Sequence, residues 1–312
     1  MNSTTPQKRK TSIIATHATL LGITILWSFN NIVMKLSFEH IGANMFTFLR
    51  LVFALPFLIY LAFFLPSHVR FEKRDLVGLT FVGIFGFGFF QLFFPVGIDQ
   101  TSPAIGGILM ATMPMHVVVI SLIFRFESIT KRIVTGIFLT LVGLACISFV
   151  SRVPGQQYET TLQGIIFVVV AELAFAINTT FIKRYLHAYP LLQLTGYVMF
   201  ISFLFFSLFN IEPIIHTDYS SIPVSAYLGA AYSGLIALLG SNILWNKAIG
   251  KIGSAKTSVY ANIPPVFVLL WSMILLDDIP HPLALAGSFI IIIGVVIVQW
   301  GDFKDANRSR QP

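Results

Sequence analysis

The chain has 312 residues, 56% of them hydrophobic and only 11% charged, where a soluble domain carries about 25% charged residues. No globular fold buries nearly all of such a chain, so its solvent must be lipid. The net charge of +7 is spread over short loops with no basic face, which excludes nucleic acid as a partner. The single cysteine, Cys146, excludes an internal disulfide and a cysteine-built metal site.

Residues 1–12, with Lys8, Arg9 and Lys10, read as a cytoplasmic tail. The apolar run that follows is too long for a signal-peptide core and no A-x-A site comes after it, so it is a retained first span. Crossing a hydrocarbon core of about 30 Å takes about 20 apolar residues. By that length the sequence predicts ten spans: 13–34, 43–64, 75–97, 102–124, 132–150, 162–182, 191–210, 224–246, 253–276 and 282–300. All must be helices, because lipid offers no partner to unpaired backbone groups and no segment alternates like a barrel strand.

Span 1 carries Trp27, Asn30 and Asn31; Trp27 and Asn31 are one helical turn apart and share a face. Span 2 carries Arg50, which can bind a substrate carboxylate, pair with Glu172, or snorkel to the headgroups as an anchor. Span 3 carries Gln91, and the glycines between Gly83 and Gly88 point to close helix contact, having neither a preceding strand nor a P-loop lysine. Span 4 holds Pro114, a kink or hinge candidate, and His116, a proton shuttle or a packing histidine.

Span 6 contains Glu172, a carboxylate near the bilayer midplane. A charge there costs roughly 2.5–3.5 kcal/mol, so the group must be protonated, paired or facing water. Coupling to protons or recognition of a cation is one reading; a protonated acid hydrogen-bonded to a neighbouring helix is the other. Asn178 in span 6 and Asn242 in span 8 lie toward the inner side, as Asn30, Asn31 and Gln91 lie toward the outer. They suit two gates, although amides also glue helices together, at about 0.6–2 kcal/mol each. Span 9 opens on Lys256 and Tyr260, which share a face, then Pro264 and Pro265. Trp245 and Trp271 lie within spans and either stack on a flat solute or simply pack.

The basic residues orient the chain. With the N-terminus inside, sixteen of the twenty Lys and Arg fall in inner segments, and only Lys35 and Arg152 fall outside. Both termini are then cytoplasmic.

A shift of 151 residues aligns Gly78 with Gly229, Gly83 with Gly234, Gln91 with Asn242, Pro114 with Pro265, Glu127 with Asp278, Gly136 with Gly287 and Gly143 with Gly294. Near the start of each half the shift is 148, pairing Asn30 with Asn178 and Lys35 with Lys183. Five spans per half invert the second unit relative to the first, the architecture of alternating-access carriers. The sequence therefore divides into the tail 1–12, a first repeat 13–151, an outer connection 152–161, a second repeat 162–300 and a tail 301–312.

The run from Trp27 to Lys35, the run Phe48 to Ala54 with Arg50, and Pro114 followed by Glu127 and Thr130 resemble the drug/metabolite transporter superfamily, EamA type. The second copy of the last motif has Pro265 and Asp278 but Pro280 where the family often has Thr, and span 7 has no arginine matching Arg50. The resemblance implies two EamA-like units, with spans 1–4 and 6–9 around a central cavity and spans 5 and 10 packed to one side.

The expectation is an all-α integral membrane protein of ten transmembrane helices in two inverted five-helix repeats, in a bacterial inner membrane. It would act as a secondary active transporter exporting a small polar metabolite, an amino acid or related compound, coupled to protons through Glu172. A passive channel or facilitator and a lipid flippase are the alternatives. No nucleophile–base pair or metal cluster suggests an intramembrane enzyme. The expected partners are the lipid bilayer, a small solute and protons, with a homodimer left open; no cofactor or metal is expected.

Overall fold

The computed structural model describes residues 6–101, 106, 109–150, 161–275 and 281–308, and among them every regular element is helical. Among the described residues, eight segments are long and apolar enough to cross a membrane. A helical run over Pro6–Phe63 breaks at Gly42, whose φ of 68° and ψ of 163° suit a residue without Cβ. We call the arm before it α1 and the arm after it α2. α3 covers Lys73–Asp99, α4 Met113–Ile123, α5 Lys131–Val150, α6 Leu162–Tyr185, α7 Leu191–Phe209 and α8 Val224–Ile252. After Gly253 come a five-residue helix, Ser254–Ser258, and a 3₁₀ turn, Val259–Asn262. Then follow α9, Pro264–Leu275, and α10, Pro282–Arg308.

Two expectations are corrected. The predicted spans 102–124 and 253–276 are not continuous helices where described: their long helical parts are the shorter α4 and α9, while 102–105, 107–108 and 276 lie outside the described residues. Pro114, Pro264 and Pro265 do not kink a helix from within. They occupy first turns, Pro114 in α4 and the other two in α9, where a missing N–H costs nothing and the fixed φ already suits a helix. The helical path is broken just ahead of them.

α3 and α8 each contain a π-helical stretch, Val82–Gly88 in one and Ser233–Gly240 in the other. Their first residues are 151 apart, the interval at which the sequence repeats. Such segments are rare and concentrate at functional sites, because the wider turn leaves carbonyls loosely held. In α8 three side chains take up consecutive carbonyls. Ser241 Oγ donates to Ile236 O at 3.3 Å, Trp27 Nε1 to Ala237 O at 3.1 Å and Asn242 Nδ2 to Leu238 O at 2.9 Å.

α5 and α10 lie against each other along a glycine seam. A Cβ on Gly136 would meet the Gly294 carbonyl oxygen at 2.5 Å, and one on Gly143 would meet that of Gly287 at 2.5 Å. Small residues let backbones approach within a membrane, where packing rather than water drives helix association. The partners cross over: Gly136 meets the counterpart of Gly143, and Gly143 meets the counterpart of Gly136. Outward faces are apolar, with Phe138, Phe149, Leu228 and Phe289 exposed, as lipid requires. Polar side chains such as Arg50, Gln91, Glu172 and Asn178 are turned inward.

Candidate functional site

Between these helices lies a cavity with about 770 Å³ of empty space when the solvent at its open mouth is counted. Five aromatic side chains line it, Trp27, Phe87, Phe90, Phe94 and Phe175. Phe90 stacks on Phe175 with ring centroids 4.8 Å apart, and Phe94 stacks on Phe90 at the same distance. Trp27 and Phe175 lean on Trp245, at 5.0 and 6.1 Å. Trp245 is wholly buried, and its indole N–H donates to Thr179 Oγ1 at 3.4 Å, so it stands behind Trp27 and Phe175 and backs that wall of the cavity.

One basic and one acidic side chain line this space, Arg50 from α2 and Glu172 from α6. Arg50 is 3% exposed and Glu172 4%. Arg50 Nη2 donates to Gln91 Oε1 at 2.9 Å, and Nη1 reaches the Met34 sulfur at 3.7 Å. Asn30 Nδ2 donates to the same sulfur at 3.1 Å. Arg50 Nε, Gln91 Nε2 and Asn30 Oδ1 are buried without a hydrogen-bond partner. A buried guanidinium normally demands an anion; here its acceptors are one amide and one thioether, both neutral. Glu172 makes no hydrogen bond or ion pair among the described residues, and the ion pair found there is between Lys183 and Glu127. Pairing of Arg50 with Glu172, one of the expectations, is absent from this conformation.

The arginine is also set from its backbone. Its carbonyl packs directly on Gly234 in the π stretch of α8, leaving no room for a Cβ. At the matching place in α3, Gly83 packs on Ile201. Gly83 and Gly234 are 151 apart, and so are Arg50 and Ile201. The seat that holds a charge in one half holds an aliphatic side chain in the other.

Of the residues singled out from sequence, the cavity gathers Trp27, Asn30, Asn31, Arg50, Glu172, Asn242 and Pro264, with Gln91 behind Arg50. It does not gather the others. Asn178 packs its backbone against Gly86 of α3. His116 is half-buried on α4 and is absent from the lining. Tyr260 bonds His17 Nδ1 at 2.9 Å and stacks on its ring, tying the chain before α9 to α1. Trp271 donates to Ser28 Oγ at 3.0 Å and serves the same junction. Met34 and Ser233 belong to the cavity and were missed. Met34 lies one turn beyond Asn30, a spacing that could have revealed it. Ser233 has a buried hydroxyl without a partner and carried no signal of its own.

At the other end, Glu127 between α4 and α5 gathers several donors. Lys183 Nζ of α6 reaches its Oε1 at 2.6 Å, and the Ser254 and Ala255 N–H groups donate to its two oxygens at 2.6 and 3.1 Å. The repeat had marked Glu127 and Lys183 only as matched positions.

A model of the EamA-like transporter family matches residues 15–149 and again 162–300. The chain is similar to the "Uncharacterized transporter YyaM" of Bacillus subtilis (strain 168), 26% identical over 233 residues, 74% of each chain. It is also similar to a "Probable terminal-alkyne amino-acid exporter" of Streptantibioticus cattleyicolor, 24% identical over 234 residues, 75% of this chain and 76% of the relative. One solved structure superposes with a TM-score of 0.74 at 15% identity, covering 95% of this chain and 99% of the other, which establishes likeness of fold.

Proposed function

The chain belongs to the EamA-like transporter family, and on that premise we propose that it is a secondary active transporter that exports a small polar metabolite, an amino acid or a related compound, by alternating access. One observation carries the reading: a cavity with aromatic walls presents Arg50 and Glu172, both buried and not paired with each other. Ionisable groups left unpaired in a low-dielectric space call for a partner from outside the chain. A solute with a carboxylate answers Arg50. An ammonium group or a proton answers Glu172, which makes it the coupling residue. The amino-acid exporter among the relatives agrees with that chemistry.

Two inverted five-helix repeats in a bacterial inner membrane, with both termini cytoplasmic, complete the proposal. It is supported by the paired π stretches, the crossed glycine seam and the equivalent seats of Arg50 and Ile201. Rocking one unit against the other would then open the cavity at either end in turn. Right-side-out and everted vesicles, with a metabolite panel and with or without a proton gradient, test it. Saturable transport that accumulates solute with the gradient is expected. Flux that only dissipates a solute gradient would make it a facilitator, and lipid scrambling with no solute flux a flippase.

A further inference from the structure

Trp245 backs the Trp27 and Phe175 wall of the cavity, but a single aromatic ring does not hold two bundles together. The stronger tie lies beyond it, where the Glu127 carboxylate takes three donors from two other segments: Lys183 at 2.6 Å, the Ser254 N–H at 2.6 Å and the Ala255 N–H at 3.1 Å. Hydrogen bonds to an ionised group are short and about twice as strong as neutral ones, and the Glu127 side chain is only 11% exposed. Gly253, with φ of 90°, admits the carboxylate: a Cβ there would sit 3.0 Å from both oxygens. Ser254 Oγ also donates to Thr179 O at 2.9 Å, and Thr179 is the residue that holds the Trp245 indole. Hydrogen bonds therefore run unbroken from the latch to Trp245.

Glu127 falls in the first family-matched unit, 15–149, while Lys183 and Gly253 to Ala255 fall in the second, 162–300. A movement of one unit against the other that opens this end must pull the carboxylate off its donors. We propose that Glu127 is a gating residue: although outside the cavity, it latches this end shut in the conformation seen, and its release accompanies exposure of the cavity to the Lys183 side. This rests on the alternating-access reading and adds the residue that sets the balance between the two states.

Side-specific labelling tests it, in full-length protein with Cys146→Ser. Thr179→Cys reports the space between Trp245 and the latch, and Asn31→Cys reports the cavity itself. A membrane-impermeant maleimide is applied to each face of oriented vesicles. Glu127→Gln and, separately, Lys183→Met are expected to speed Thr179→Cys labelling from the Lys183 side about tenfold, the scale of one charge-assisted bond, while slowing Asn31→Cys labelling from the opposite side. Unchanged rates at Thr179→Cys in both variants overturn the latch. Rates rising together at both reporters also overturn it, since that signals general loosening. Labelling of Asn31→Cys from one face only, in the parent protein and in both variants, would instead sink alternating access itself.

Discussion

Gln91 holds Arg50: the amide oxygen accepts from Nη2 at 2.9 Å, while the amide nitrogen, buried beside it, has no partner. The pair thus leaves two donors unmet, Gln91 Nε2 and Arg50 Nε, at the edge of the cavity. The arginine is positioned without being neutralised, a state that only an arriving anion relieves.

Arg50→Gln is expected to raise KM for a carboxylate-bearing substrate by about tenfold or more, since a hydrogen bond to a charged group contributes about 1.5–3 kcal/mol. Arg50→Lys should not restore it, because a lysine is a point donor and cannot bridge Gln91 and Met34 as the planar fork does. Gln91→Leu should weaken binding less than loss of the arginine. Initial rates of uptake in vesicles over a range of substrate concentrations measure all three.

Replacing Glu172 with Gln keeps the shape and removes the titratable group. If protons couple through it, Glu172→Gln still exchanges labelled for unlabelled substrate but no longer accumulates substrate against a gradient, and its rate no longer follows pH. A pH response that survives intact would place coupling elsewhere.

Trp245→Ala should cost about 3–5 kcal/mol, the range for truncating a fully buried aromatic side chain, because Trp27, Phe175 and Thr179 all lose their contact with it. Trp245→Phe should cost appreciably less. Thermal midpoints of the detergent-solubilised protein, followed by size-exclusion, separate the two.

Gly143→Val should force α5 and α10 apart, since any Cβ at Gly143 would strike the Gly287 carbonyl oxygen and Ile291. Overpacking of this kind costs about 1–3 kcal/mol. A lower thermal midpoint is expected, with the same loss for Gly287→Val on the other side of the seam. If either variant melts like the parent, backbone contact is not what joins these helices.

Much of this architecture was legible from sequence because two strong signals, apolar length and the 151-residue interval, act over whole spans. The second signal even marked Gly136, Gly143, Gly287 and Gly294, the residues that make the α5–α10 seam. What stayed hidden depends on geometry that no residue type announces. The π stretches follow from helix packing, not from propensity, and Val82 and Ser233 share no chemistry. Ile201 could not be matched to Arg50 by side chain; only the equivalent packing of Gly83 and Gly234 equates them. The prolines were misjudged because their neighbours are apolar enough to suggest uninterrupted spans. The Glu127 tie escaped because two of its three donors are backbone N–H groups, which every residue but proline has.

The crossed pairing of Gly136 with Gly294 and of Gly143 with Gly287 has a mechanical corollary. A joint of bare peptide against bare peptide, reading the same from either helix, has little slack and few rotamers to rearrange. It resists sliding while tolerating a slight roll about its midpoint, so α5 and α10 would serve as the axle on which the remaining helices turn. Agents that jam this protein would then act on the moving walls and leave the axle untouched.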